Sequence, residues 1–206
     1  GVTIDDLVDF TPEIRAMAVE AVKNFRLGPI YTPPTLAVEG GLQGTIQRPS
    51  AGGGANWSGA AVDPETGLLY VPSTNAISVL NYFTPDPAQG GNLQYTWTAA
   101  RPPGQGSPGG QQPRMPQGLP LLKPPYTRTT AIDLNSGEHA WMVPNGDGNR
   151  LRNHPLLAEL DLPPLGGDGR GGPLVTKTLL ISALTAGGTD DGPRLVARDK
   201  ATGEIV

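Results

Sequence analysis

The spacing of hydrophobic and polar positions changes once along the chain. Over residues 11–27, Ile14, Met17, Ala18, Ala21, Val22 and Phe25 recur at three-four spacing, which predicts one amphipathic helix. Thr11 stands where an N-cap oxygen is needed. Pro12 suits the first helical position, because the N–H it lacks would find no partner there. Gly28-Pro29 stops the helix. A single apolar stripe of this kind reads as a packing face without chemistry of its own.

Beyond residue 29 the pattern turns to short β segments separated by turn residues. Residues 60–73, "AAVDPETGLLYVPS", predict a hairpin, as do 128–143, "RTTAIDLNSGEHAWMV", and 194–206, "RLVARDKATGEIV". In each, Asp opens a tight turn by accepting backbone N–H groups, Ser or Thr supports it, and Gly takes the left-handed position. A further strand pair at 172–184 repeats the 59–73 pattern with a shorter turn: "GPLVTKTLLISA" against "GAAVDPETGLLYVPS". Two kinds of hairpin therefore alternate, giving a four-stranded unit twice over. Such units repeated along a chain are the mark of propeller blades, which bury their faces only against neighbours.

The expected fold is mainly β: a partial β-propeller of about two four-stranded blades, with one N-terminal amphipathic helix. The first blade covers 57–143 and carries a Pro/Gly-rich insert at 84–125; the second, truncated, covers 172–206. Trp141 lies eight residues after Asp133, whereas the position eight after Asp199 would be 207, one beyond the last residue. The expectation is a piece of a larger propeller.

Composition narrows the function. Gly (29) and Pro (23) make a quarter of the chain, but 13 of them fall within residues 101–125, a semi-extended surface tract. Its PxxP spacings could serve a proline-recognising partner, though they arise freely in such composition. A net charge of −4 argues against a nucleic-acid partner. The absence of Cys excludes disulfides, zinc thiolates and thiol catalysis. No apolar run approaches a membrane span, and "GVTIDDLVDF" opens no signal peptide, so an export signal is not expected within these residues.

Most candidate chemistry fails on spacing. His139 and His154 form no metal pair, Asp5-Asp6 and Asp190-Asp191 read as solvated acids, and "GQGSPGG" is broken by Pro and lacks a flanking strand and helix. No Gly-x-Ser-x-Gly elbow is present. What remains is "GGGANW" at 52–57. Gly52, Gly53 and Gly54 permit close backbone approach, Asn56 can donate an amide hydrogen at any pH, and Trp57 suits a flat ligand. The structural alternative is that Asn56 caps a turn and Trp57 fills the blade core.

Taken together, "ANWSGAAVDPETGLLYVPS", "TAIDLNSGEHAWMVPNGD", "RNHPLL" and "GGPLVTKTLLI" resemble the pyrroloquinoline-quinone (PQQ)-dependent dehydrogenases, most closely the glucose-dehydrogenase-like branch. The run Ala131-x-Asp133-x-x-Ser136-Gly137-Glu138-x-x-Trp141 is similar to that family's tryptophan-docking repeat, in which the Trp packs between neighbouring blades. The resemblance implies an eight-bladed propeller with PQQ and calcium at its axis. It implies oxidation of an alcohol or aldose sugar, with electrons passing to a quinone or cytochrome, in the periplasm or at the outer face of the inner membrane. It places Asn56 beside the quinone, with Trp57 on the same wall, and puts the catalytic Asp and Lys and most calcium ligands outside these residues. This chain alone would then be inactive, and the remaining blades would be its partners. Arg170 stands before Gly171-Gly172 where the methanol-dehydrogenase branch has Trp, which disfavours that subclass. The rival reading is a non-enzymatic propeller scaffold or interaction module built from the same blades.

Overall fold

The computed structural model describes residues 1–85, 94–97, 113–167, 171–184 and 193–206. Its elements run in chain order as α1 (Pro12–Val22), β1 (Thr35–Leu36), β2 (Thr45–Gln47), β3 (Ala61–Asp63), β4 (Leu68–Thr74), β5 (Ser78–Phe83), β6 (Thr96–Trp97), β7 (Thr127–Asp133), β8 (His139–Pro144), α2 (Asn149–Arg152), β9 (Pro173–Val175), β10 (Leu179–Leu184) and β11 (Arg194–Asp199). The chain divides into two compact units. One is Gly1–Ala51 with Ile77–Lys123, and the other is Gly52–Ala76 with Pro124–Val206.

In the first unit β5 is the hub. It pairs in parallel with β1 and antiparallel with β2 and β6. β5 lies just before the expected insert at 84–125 and belongs to a sheet separate from that of its neighbour β4. Of the Pro/Gly tract at 101–125, residues 101–112 lie outside the described residues; in the remainder Met115, Leu119, Leu121 and Leu122 are buried, so that part packs into the unit rather than running over its surface. Thr11 caps α1 by accepting the Ile14 N–H at 3.2 Å. The helix buries Ile14, Ala18 and Val22, a stripe narrower than the spacing predicts, and Met17 is exposed.

The helix also ends at Val22, short of the expected residue 27. The reason is tertiary: Gln43 N–H donates to the Asn24 carbonyl and Arg26 N–H to that of Gly44, so 24–28 is drawn out to pair with β2 and with Val2. Asp6 corrects the reading of Asp5-Asp6 as merely solvated. Arg48 reaches it at 2.7 Å, and it accepts the Thr3 N–H at 2.7 Å.

The second unit holds two sheets. The first has the order β3-β4-β7-β8, antiparallel throughout; the second has the order β11-β10-β9. A bridge between Arg198 and Ile205 begins a fourth line of pairing beyond β11. All three Asp turns form as their residues predict. Asp63 accepts the Glu65 N–H at 3.1 Å, Asp133 that of Asn135 at 2.8 Å, and Asp199 that of Ala201 at 2.8 Å. The core of this unit is Tyr70, Ala131 and Leu180, with Leu68, Trp141 and Val175 packed against it.

Trp141 joins the two sheets. A bulge between Ala131 and Ile132 sets Trp141 opposite the fully buried Ala131, whose small side chain leaves room for the indole. The indole Nε1–H donates to the Lys200 carbonyl at 3.0 Å, and the Tyr70 hydroxyl donates to the same oxygen at 3.2 Å. The Tyr70 and Trp141 rings lie 5.7 Å apart, tilted at 36°. Gly203 is required twice over: its φ is +77°, and a Cβ there would lie 2.7 Å from Trp141 Cε3. Above this stack the Lys200 ammonium meets the Asp63 carboxylate at 2.5 Å, with side chains 11% and 3% exposed. The Arg198 guanidinium, also buried, donates to the carbonyls of Gly203 at 2.8 Å and Pro144 at 3.3 Å.

Two predictions follow from this junction. Trp141→Phe removes the Nε1 bond and is expected to cost about 1 kcal/mol, while Trp141→Ala is expected to cost roughly 3 kcal/mol. Equilibrium denaturation checks both, and equal small losses would deny the indole its locking role. The second concerns pH. Lys200 above all, helped by Thr66 and the Glu65 N–H, holds the Asp63 carboxyl below its ordinary 3.8, against the upward pull of burial. The pair's contribution is therefore complete above that ordinary value and disappears as pH falls through the lowered one. The stability gap between the native protein and Asp63→Asn should accordingly narrow as pH falls below the ordinary 3.8 and through the lowered value. A gap that stays constant would show that the carboxylate charge contributes nothing.

Candidate functional site

The strand directions of the second unit sort its loops to two ends. The Asp63, Asp133 and Asp199 turns and the Thr176–Leu179 hairpin share one end, since Leu179 pairs with Asp199 and Lys200 reaches Asp63. The other end collects the loop that leads into β3, the irregular stretch 145–167 and the start of β9. The sequence-derived candidates, Asn56 and Trp57, lie at this second end.

Loop 52–59 is built around Asn56. Its Nδ2 donates to the Gly52 carbonyl at 2.7 Å, its Oδ1 accepts the Trp57 N–H at 2.8 Å, and its carbonyl accepts the Gly59 N–H at 2.9 Å. Asn56 thus closes the loop on itself, using one of its two amide hydrogens. Trp57 follows at 98% exposed. Its indole does not fill the blade core, as one alternative from the sequence had it. That place belongs to Tyr70 and Trp141, from the middle of β4 and β8.

Two contacts fix the loop. Thr74 N–H at the end of β4 donates to the Gly54 carbonyl at 3.0 Å. On the other side the second sheet comes close, since a Cβ on Gly172 would stand 2.7 Å from the Ser58 carbonyl oxygen. A Cβ on Gly171 would stand 2.0 Å from the Ala183 carbonyl, so neither position has room for a side chain. Arg170 and Asp190-Asp191 lie outside the described residues.

The stretch 145–167, legible in the sequence only as a loop, is as firmly tied as a strand. Leu165, Gly166 and Gly167 donate to the carbonyls of Asp147, Gly146 and Asn145 at 3.0, 3.1 and 2.7 Å. Tyr126 N–H donates to the Leu165 carbonyl at 2.8 Å, and Thr129 Oγ1 to Asn145 Oδ1 at 2.9 Å. Leu157 and Leu165 are fully buried beneath it. Gly166, at φ +80°, lies so near Thr127 that a Cβ would be 2.4 Å from its carbonyl oxygen. The sequence signal was present in the glycines of "NGDGN" and "GG", but it names no partner strand. His154 accepts the Leu156 N–H through Nδ1 at 3.2 Å, an in-loop role, and His139 stands exposed on β8.

This end offers a flat, uncovered indole on a braced, glycine-rich loop, next in sequence to the Asn56 amide. Such a surface can stack a planar ring and hydrogen-bond its rim. Among the described residues, no group of three or more His, Asp or Glu side chains is placed to hold a metal ion. Nor is any helix among them long and apolar enough to cross a membrane.

Because Trp57 buries almost nothing, Trp57→Ala should change unfolding free energy by less than about 0.5 kcal/mol. Denaturant unfolding tests this directly, and a larger loss would mean the indole serves packing rather than a ligand.

Comparison with known proteins gives a consistent identity for the whole of this architecture. All 206 residues match the family model for "PQQ: Glucose/ethanol/alcohol dehydrogenase, beta-propeller domain". The quinate/shikimate dehydrogenase (quinone) of Acinetobacter baylyi is 27% identical over 186 residues, covering 85% of this chain and 22% of its own length. The probable quinate dehydrogenase (quinone) of Xanthomonas campestris pv. juglandis is 29% identical over 192 residues, covering 89% of this chain and 23% of its own. The chain spans less than a quarter of the length of these relatives.

Proposed function

Because the chain belongs to the glucose/ethanol/alcohol dehydrogenase β-propeller family of PQQ enzymes, we propose that it serves a quinoprotein dehydrogenase that oxidises an alcohol. The substrate class we assign is a polyhydroxylated compound, a sugar or a hydroxylated ring acid of the kind named for the two relatives. PQQ, when bound, supplies the two-electron acceptor for the alcohol. The residues of this chain bind and orient rather than react. The catalytic Asp and Lys and the calcium ligands belong to other parts of the protein. The electrons pass on to a quinone or cytochrome, and the location is periplasmic.

The observation that carries the assignment of residues is the exposure of Trp57, 98%, on a loop that Asn56 closes from within. A lone exposed indole is common on protein surfaces; here the braced backbone leaves its ring face free to take a planar ligand. The fit to a planar, carboxylate-bearing quinone is chemical. Trp57 presents a ring face, the second Asn56 amide hydrogen can reach an oxygen at the rim, and Gly52–Gly54 let the backbone come close. The alternative of a non-enzymatic propeller scaffold draws support from how much of the repeat goes into the Trp141 junction, which performs no chemistry.

Reconstitution of the intact apoprotein with PQQ separates the two. Asn56→Ala is expected to weaken PQQ binding by about 1–3 kcal/mol, measured by titration. Undiminished affinity in that variant would remove Asn56 from the cofactor wall. Failure of the unaltered protein to bind PQQ would favour the scaffold.

A further inference from the structure

The Asp63–Lys200 pair stands out among the charged groups of the second unit, because both side chains are buried and they come from different sheets. Asp63 ends β3, at the first hairpin of its sheet. Lys200 lies in the turn after β11, at the second hairpin of the next. Pairs of buried charges seldom add net stability over apolar residues of the same size, while one buried charge without its partner is strongly destabilising. Such a pair therefore selects between arrangements more than it strengthens one.

The repeat shows what it selects against. In the second sheet the place of Asp63, the last residue before the hairpin turn, is held by Thr176. That residue spends its hydroxyl within the hairpin, accepting the Leu179 N–H at 2.9 Å and donating to the Leu179 carbonyl at 3.1 Å. In the first sheet the place of Lys200, one residue after the turn-opening Asp, is held by Leu134, which is 54% exposed. The turn itself is repeated: both copies have Asp at the start and Gly four residues on, with φ +78° at Gly137 and +77° at Gly203. The shared Asp-to-Gly turn would let the first sheet, which carries Tyr70 and Trp141, stack on a second copy of itself. The charges would not. A second sheet stacked on another second sheet would put Lys200 opposite Thr176, and a first sheet stacked on another first sheet would put Leu134 opposite Asp63.

We infer that Asp63 and Lys200 form an order key, a charge pair that admits only the first sheet followed by the second and rejects like-on-like stacking of these similar blades. Trp141, Tyr70 and Gly203 supply the adhesion at this junction, and the ion pair supplies its specificity. Similar repeats in one chain are prone to misassembly and swapping during folding, which gives such a key its use. The inference concerns assembly and stands whether or not Asn56 and Trp57 hold a quinone.

The test compares Asp63→Asn, Lys200→Met and the double variant Asp63→Leu/Lys200→Met in the intact protein. Thermal melts and the yield of monomer after refolding from denaturant, resolved by size-exclusion chromatography, are the readouts. Each single variant should melt below the native protein. The double variant should recover most of the melting temperature, yet refold to monomer with a severalfold lower yield and with dimers or larger species in its place. A double variant that refolds to monomer as well as the native protein would overturn the inference. So would a double variant whose melting temperature stays as low as the single variants', because the pair would then be a source of stability rather than of order.

Discussion

The carbonyl oxygen of Lys200 is the point on which the second unit depends. It accepts the Trp141 indole N–H and the Tyr70 hydroxyl at once, so the two largest aromatic side chains of the junction between the sheets are oriented by one backbone atom. Neither polar group could be buried without a partner, since an unmade hydrogen bond inside a protein costs more than a made one returns. The turn that presents this carbonyl exists because Asp199 gathers its N–H groups and Gly203 leaves space for the indole. Each sheet alone has one face uncovered. Together they cover Tyr70, Ala131 and Leu180.

The arrangement divides labour between the two ends of the sheets. The turn end is filled with short, repetitive, hydrogen-bonded hairpins whose business is adhesion between blades. The loop end carries the irregular segments, and its irregularity is tightly specified: 145–167 is tied back on itself, and glycines at 166, 171 and 172 allow backbones to approach within distances that no side chain would permit. A rigid scaffold that holds variable loops is the usual way a propeller hosts a ligand. Exposed loops at one end and buried adhesion at the other fit a β-propeller domain of this family.

The candidate site was legible to a limited depth. The oddity of an Asn and a Trp after three glycines and an alanine could be seen in the sequence, and so could the two roles open to each. The structure gives Asn56 the turn-closing role, with one amide hydrogen left over, and takes Trp57 out of the core; the two residues are linked by the Oδ1 bond to the Trp57 N–H. The loop at 145–167 was invisible as a platform because its bonds run between segments some twenty residues apart, and no local periodicity records them. The Asp6–Arg48 pair was hidden for the same reason.

What the sequence determined by itself was everything set within a few residues. The Thr11 cap and Pro12 start of α1 and the three Asp-to-Gly turns are all local chemistry, and they emerge as the residues imply. Tertiary structure decided where local rules compete with distant partners. It cut α1 at Val22 because β2 claimed the following backbone, gave β5 to a different sheet from its neighbour β4, and joined Asp63 to Lys200 across 137 positions. A helix end, a strand's choice of partner and a buried charge pair all depend on what lies opposite, and that is fixed only when the chain has folded.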